Sequence, residues 1–376
     1  MDILAETRKV RRHLHMYPEL GLNVERTAQY IEAYLNNIGL VPERSIGTAV
    51  IAYIEGRDNS RPLLALRADM DACSVQEENE FEFRSQRAGI MHACAHDGHM
   101  AILLGLAKMM KEEQFVPDGP VKLIFQPAEE TGEGAKNLIA AGVLKDVDTI
   151  IGYHIWPDLE VGCIQINDGA QMAGSDRFKI TLVGKGGHGA YPSKALNPIN
   201  GAVEICAEIN KILNRIRIPE PVALSIGRIE SGTAFNVIPE VAVFEGSLRT
   251  LALAARKLLL EEIQNIIKSI AGAHKLKAEI FLEQIAPALL NNPTVVQEIK
   301  AAVQTSGEKL AEKNEPVMAS EDFGFYLQEK PGAFFFIGAG KNTEGIFLHS
   351  PRFDFDERAM AVGVKVLANI IKGHWR

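Results

Sequence analysis

PLLALRAD (62–69), VKLIFQPAEE (121–130) and TIIGYHI (149–155) are three short apolar runs with polar, chemistry-bearing residues at their ends. Asp69 closes the first, Glu129 and Glu130 follow the second, and His154 lies in the third. Runs this continuous lack the alternation of a half-wet strand and suit strands buried on both faces. Working outward, helical patterns flank them. One covers about residues 2–15, and a second runs from about Glu25 to Asn37, ending near Gly39. A third, from about Gly98 to Glu112, is apolar on two sides: Met100, Leu103, Leu104 and Ala107 on one, Ile102, Leu106 and Met109 on the other. Such a helix is expected to be buried. Strands alternating with helices predict an α/β fold, a mixed and largely parallel sheet with helices on both faces. TAVIAYIEG (48–56) is expected as the neighbour of the 62–69 strand. Ligands on such sheets gather beyond the carboxyl ends of strands, where these polar residues fall.

The rhythm changes near residue 174. RFKITLVGKGG (177–187), a helix from Pro198 to about Leu213, VALSIGRIE (222–230) and VAVFEGSLRT (241–250) follow one another. A helix striped with Leu259, Ile263, Ile266 and Ile270 and the strand KLKAEIFLE (275–283) complete the set. Strand-helix-strand-strand-helix-strand is a ferredoxin-like order. Residues 174–286 are therefore expected as an inserted α+β domain, with 1–173 and 287–376 forming the first domain. The first domain resumes with AFFFIGAG (333–340) and a helix bearing Met360, Val364, Leu367 and Ile371 on one face.

A chain of 376 residues with 47% hydrophobic content has room for two cores. Its formal net charge of -8 argues against nucleic acid and anionic membranes as partners. No apolar run is long enough to span a bilayer, and the N-terminal MDILAETRKVRRHLH lacks the apolar core of a signal peptide. A cytoplasmic location is the expectation. Cys73, Cys94, Cys163 and Cys206 are widely spread, without the spacing of a disulfide framework or zinc ribbon. Cys94, set among histidines, is worth examining as a ligand, and the others read as buried small apolar residues.

Five residues stand out as metal ligands: Cys94 and His96 in HACAHDGH (92–99), Glu130, His154 and His349. Thiolate, imidazole and carboxylate together suit zinc, and manganese or cobalt where oxygen completes the shell. A lone histidine is more often a surface or core residue than a ligand, so His154 and His349 carry little by themselves. His13, His15, His274 and His374 have no supporting context and read as structural or exposed. HACAHDGH differs: three histidines, a cysteine and an aspartate in eight residues precede an apolar helix. There Asp97 is the expected cap of a helix beginning near His99. Glu129-Glu130 alone would read as a solvated acidic pair. At the end of a buried strand, a turn can aim both into one site, one to bind metal and one to stay free as a base.

Taken together, these segments are familiar. RRHLHMYPELG (11–21), LRADMDA (66–72), MHACAHDGHMA (91–101), FQPAEETGEGA (125–135), GKGGHGAYP (184–192), SGTAFNVIPE (231–240), EGSLRT (245–250), SEDFGFY (320–326) and LHSPRFDFDE (348–357) span nearly the whole chain. The sequence resembles metallopeptidase family twenty, in its aminoacylase and amidohydrolase branch. That branch includes hippurate hydrolases, auxin-conjugate hydrolases and N-acetyldiaminopimelate deacetylases. The resemblance implies a zinc-exopeptidase-like sheet with an inserted lid or dimerisation domain, and two divalent metal ions. It implies that Cys94, His96, Glu130, His154 and His349 are the ligands, with Cys94 bridging. Glu129 would be the general base, and Asp69 would orient a neighbouring ligand. His188 would lie in the smaller domain and reach the active site of a dimer partner. Asn236 and Arg249 resemble groups that bind the substrate carboxylate or the oxyanion. Two departures are visible: Ala95 where the branch usually has glycine, and LRADMDAC where it has LRADMDAL. If the glycine serves a positive φ, Ala95 strains the ligand loop.

The expected chemistry is hydrolysis of the amide bond of small N-acyl amino acids, N-acetyl amino acids first among them, by metal-activated water. A dipeptidase or carboxypeptidase on the same scaffold is the nearest alternative. A cysteine hydrolase built on Cys94 leaves Glu129, Glu130, His154 and His349 unused, and a non-catalytic metal-binding protein needs no Glu129. GKGGHGAYP lacks the order of a phosphate loop, and its glycines fit close backbone approach to a substrate.

Overall fold

The computed structural model describes residues 2–44, 46–312, 315–340 and 346–374. The chain divides into two compact units. The first takes the chain up to Gln171, Leu290–Glu315 and the chain from Asp322 onward; the second takes Met172–Leu289 and Pro316–Glu321. The segment Pro316–Glu321 falls in the stretch that sequence pattern assigns to the first domain. Backbone pairing attaches it to the second: Ala173 N–H meets the carbonyls of Val317 and Ala319, both at 3.0 Å.

In chain order, the first stretch carries α1 (Ile3–Met16), α2 (Glu25–Asn37), β1 (Pro42–Glu43), β2 (Val50–Ile54), β3 (Leu64–Asp69) and α3 (His96–Glu112). It continues with β4 (Val121–Gln126), α4 (Gly134–Ala140), β5 (Thr149–Trp156), β6 (Cys163–Gln165) and the connecting strand β7 (Gly169–Met172). Next come β8 (Gly174–Val183), β9 (Gly187–His188), α5 (Pro198–Asn210), α6 (Ile212–Arg215), β10 (Val222–Ser231), β11 (Val237–Ile238), β12 (Val241–Thr250), α7 (Leu253–Ala273) and β13 (Lys277–Ala286). The chain returns through β14 (Leu289–Asn291) to α8 (Pro293–Ser306), β15 (Lys309–Leu310), α9 (Gly324–Glu329), β16 (Gly332–Gly338) and α10 (Arg358–Gly373).

The first unit is built on an eight-stranded sheet in the order β1-β2-β4-β3-β5-β16-β6-β15. Strands β4, β3, β5 and β16 at its centre run parallel. Antiparallel pairs lie toward the edges, at β1/β2, β2/β4 and β16/β6. Every residue of β3, β4 and β16 is buried, as strands covered on both faces require. The expected pairing of residues 48–56 with 62–69 is not made, because β4 lies between β2 and β3. Parallel partners need crossovers, and β4 and β5, each reached through one, occupy both edges of β3. Helix α3 is buried almost throughout and packs against α1, α10 and β3, which explains its two apolar sides. Helix α8 shows its punctuation in full: Asn292 accepts from Thr294 N–H at 3.0 Å, Pro293 opens the first turn, and Gly307 ends it with φ 75°.

The second unit is a four-stranded antiparallel sheet in the order β10-β12-β8-β13, with α5 and α7 packed on it. This is the ferredoxin-like arrangement. Its own core joins Phe178, Ile180 and Leu182 of β8 to Phe244 of β12 and to Leu259, Ile263 and Ile267 of α7. Asn197 caps α5 and Pro198 opens it. Strands β9 and β11 form a separate ribbon. Among the described residues, no helix is long and apolar enough to cross a membrane.

Candidate metal centre

Helix α3 begins at His96, not at His99, and its N-cap is Ala95, with φ 64° and ψ 14°. That left-handed conformation is the one glycine adopts without strain, so an L residue here bears a steric cost. Asp97 therefore sits inside the first turn and does not cap the helix. Its carboxylate is claimed by charged partners, Arg11 at 3.3 Å and His15 at 2.8 Å, while its other oxygen accepts from Gly98 N–H at 2.9 Å. His15 is buried and also meets Glu77 at 3.2 Å.

The hydrogen bonds of the histidines assign their tautomers. His96 Nδ1 lies 2.8 Å from the carbonyl of Asp71, and His154 Nδ1 lies 2.7 Å from the carbonyl of Ile155. A carbonyl only accepts, so each Nδ1 carries the proton and each Nε2 presents its lone pair, the arrangement that orients metal-binding histidines. His154 Nε2 faces Cys94 Sγ at 3.5 Å. His96 Nε2 lies 3.7 Å from Asp69 Oδ2 and 4.0 Å from Glu130 Oε1. Cys94, His96 and His154 are all buried, and their donor atoms lie within 4.8 Å of one another. His99 is spent differently: Nδ1 meets Asp69 Oδ1 at 2.6 Å, and Nε2 accepts from Ile155 N–H at 2.9 Å. His92 is buried as well, but among the described residues no donor cluster includes it.

The turn after β4 solves the problem of aiming two adjacent carboxylates. Ala128, at φ 60°, reverses the chain after Pro127. Gly134 leaves room for that reversal, since a Cβ there would stand 2.0 Å from the Pro127 carbonyl. The Asp71 carboxylate then accepts from both following amides, Glu129 N–H at 2.9 Å and Glu130 N–H at 3.2 Å. Glu129 Oε1 accepts from Asp322 N–H at 3.4 Å. Glu129, Glu130 and His96 bring donor atoms within 4.8 Å of one another. Glu130 Oε1 also meets His349 Nε2 at 3.3 Å and Cys73 Sγ at 3.0 Å. His349 takes φ 64°, and its N–H bonds the Ala93 carbonyl at 2.8 Å, tying it to the loop that carries Cys94.

Asp69 is held by a buried network. Arg67 donates to Asp69 Oδ2 at 2.7 Å, to Gln126 Oε1 at 2.9 Å and to Asp322 Oδ1 at 2.8 Å. Gln126 donates to Asp322, and Tyr326 OH donates to Gln126 at 2.9 Å. A fully satisfied network of this kind is rigid, and it fixes the carboxylate that orients His99.

Electrostatics favour a cation. Burial, with Glu130, Cys73, Glu129 and Asp69 nearby, pushes the Cys94 thiol well above its ordinary range. Burial and His99 push His154 well below its own. A neutral thiol and a neutral imidazole thus face each other among carboxylates. A divalent ion supplies the positive charge this donor set lacks, so thiol, imidazoles and carboxylates fit metal on these grounds.

The remaining predicted residues lie in the second unit. His188 in β9 is paired with Val237 of β11, and Gly189 N–H bonds the Asn236 carbonyl at 2.9 Å, so His188 and Asn236 are neighbours on one ribbon. Ala190 N–H donates to His188 Nδ1 at 3.1 Å, which leaves the proton on Nε2. Arg249 Nη1 donates to Ser320 Oγ at 2.9 Å and reaches the Met318 carbonyl at 3.5 Å.

Two residues escaped the sequence reading. Asp71 both orients His96 and clamps Glu129 and Glu130. Its signal in the sequence is the second acid of LRADMDA, two residues beyond Asp69. By sequence pattern alone Cys73 is a small apolar residue. It is buried, but its thiol meets Glu130, and the departure from leucine at that position was the clue.

The model of Peptidase family M20/M25/M40 matches residues 65–373. The hippurate hydrolase of Campylobacter jejuni is 36% identical over 98% of this chain and 97% of its own. Thermostable carboxypeptidase 1 of Saccharolobus solfataricus is 38% identical over 94% of this chain and 92% of its own. Among solved structures, the Bacillus subtilis YXEP protein, a dinuclear metal binding peptidase from the M20 family, superposes with a TM-score of 0.87 at 32% identity, covering 98% of each chain. With its parallel sheet, inserted ferredoxin-like unit and convergent donor cluster, this chain belongs to the M20/M25/M40 peptidase family.

Proposed function

We propose that the protein is a metal-dependent amidohydrolase that splits small N-acyl amino acids into a carboxylate and a free amino acid. The observation that carries this reading is convergence. Donors from four distant segments (Cys94 with His96, Glu129 with Glu130, His154 and His349) meet in overlapping groups whose atoms lie within 4.8 Å of one another. Cys94, His96 and His154 would hold one cation and Glu130 and His349 the other, with Cys94 the residue that the family resemblance would have serve both. Zinc, manganese and cobalt all suit such ligands. When bound, the cations supply Lewis acidity for the scissile carbonyl and for water.

The protein's own groups do the rest. Glu129, anchored by Asp71 at its amide and by Asp322 N–H at its carboxylate, takes the proton of the attacking water and delivers it to the leaving amine. Asp69 holds its neighbours through His99 and Arg67. His188 and Asn236 are assigned to hydrogen bonding at the developing oxyanion, and Arg249 to the substrate's free carboxylate, to which its planar fork is suited. A homodimer or higher oligomer formed through the second unit is part of the same reading. The four cysteines form no disulfide with one another, which fits a reducing cytoplasm.

The test is Glu129→Gln. Metal content stays at the wild-type level while turnover of N-acetyl and N-benzoyl amino acids falls about 10²–10⁴-fold, the range for general acid–base catalysis. Unchanged turnover removes Glu129 from its role. The likeness to a carboxypeptidase supports a second reading, peptide cleavage on the same scaffold. Assaying dipeptides beside N-acyl amino acids separates the two by their kcat/KM.

A further inference from the structure

We propose that Cys73 is a further metal ligand, joining Glu130 and His349 in a sulfur-bearing position that favours zinc or cobalt over manganese. The inference rests on the metal-centre reading above. Three atoms from separated segments converge: Cys73 Sγ stands 3.0 Å from Glu130 Oε1, His349 Nε2 stands 3.3 Å from the same oxygen, and all three donors lie within 4.8 Å of one another. A thiol, a carboxylate and an imidazole around one point form a donor set that zinc accepts.

The position of the thiol is well determined. Cys73 and Met91 exchange both backbone hydrogen bonds, at 2.9 and 3.1 Å. This bridge ties the segment after β3 to the start of the loop that carries Cys94. Cys73 is buried at 6% exposure, so its sulfur is held toward Glu130 and kept from solvent. A leucine at this position would offer no donor. Soft thiolate selects zinc and cobalt, whereas manganese prefers oxygen. Coordination is a simple exchange: the S–H bond breaks, sulfur keeps the electron pair and donates it to the cation, and the proton leaves to buffer. No oxidant or reductant is consumed.

The experiment uses the full chain stripped of metal and titrated with Co²⁺, reading the thiolate-to-cobalt charge-transfer absorption. Wild type, Cys73→Ala, Cys73→Ser and Cys94→Ala are compared, with far-ultraviolet circular dichroism to verify folding. Serine keeps a hydrogen bond to Glu130 but removes the thiolate. Both Cys73 variants are expected to lose the part of the band that survives in Cys94→Ala. Their zinc affinity at the Glu130–His349 position is expected to fall about tenfold or more, with manganese affinity changing less. A band and zinc affinity unchanged in both Cys73 variants overturn the inference and leave Cys73 as a hydrogen-bond donor to Glu130. Wild-type protein that takes up no cobalt overturns the metal centre itself, a separate result.

Discussion

Replacing Asp71 with asparagine removes one acceptor oxygen from beneath the Glu129-Glu130 peptide and changes almost nothing in volume. In the native protein its two oxygens accept from Glu129 N–H at 2.9 Å and Glu130 N–H at 3.2 Å. In Asp71→Asn one of those amides faces an NH₂ group. A hydrogen bond to a charged acceptor contributes about 1.5–3 kcal/mol. The arrangement that aims Glu130 is destabilised by that amount relative to a relaxed turn. If Glu130 holds metal, the same free energy appears as a loss of affinity, roughly 10–150-fold. Outer partners of metal ligands typically cost about 10–100-fold when removed, which agrees. Burial pushes Asp71 up to about 7, against the pull of His96 and the Glu129 amide. The titration is therefore run at about pH 8, where the carboxylate dominates. Metal-stripped protein is titrated with Zn²⁺ against a chromophoric chelator. The expected result is one site near wild-type affinity, that of Cys94, His96 and His154, and one site weakened. Two sites of native affinity in a folded Asp71→Asn variant refute the reasoning.

Three further outcomes are expected. For His15, burial acts to lower its pKa, but hydrogen bonds to Asp97 and Glu77 outweigh it and carry it from 6.5 up to about 9. Its contribution to stability is then full below about pH 6.5 and lost as pH rises through about 9, a drop of roughly 3 kcal/mol. Denaturant unfolding across that window checks it, and His15→Gln should flatten the dependence. His188→Ala should keep its metal and fold while kcat falls about 10²–10³-fold, the usual cost of one oxyanion donor. Mixing it with Glu129→Gln restores activity if the site is shared between subunits. At Ala95, glycine relieves about 1–2 kcal/mol of left-handed strain but forfeits a buried methyl and gains unfolded-state entropy. Calorimetry should show Ala95→Gly within about 1 kcal/mol of wild type and Ala95→Val clearly destabilised.

The architecture was legible because its signals are local. Runs such as LLALRA and KLIFQ are uniformly apolar, and burial of β3 and β4 on both faces follows from that alone. Helix ends were legible where capping residues mark them, as with the end of α2 and the start of α5. The start of α3 is not legible in the sequence, because Asp97 looks like a cap while the helix begins at His96. In the fold, Arg11 and His15, from another helix, take its carboxylate, and no local rule foresees such partners. Strand order failed for the same reason. The strand that lies beside β3 is decided by crossovers, so β4 separates two runs that are adjacent in sequence.

By itself, the amino-acid order determined which elements form, which donor types the chain carries and which family it resembles, since periodicity and motif are properties of neighbouring residues. Tertiary structure decided which donors meet. His154 and His349 are ordinary histidines until β5 and the turn at His349 bring their Nε2 atoms to Cys94 and Glu130. Asp71 and Cys73 acquire roles only because the chain after β3 lies against the turn after β4. A hydrogen bond or a coordination sphere reads distance through space, and contacts between residues more than fifty positions apart are written in no single segment.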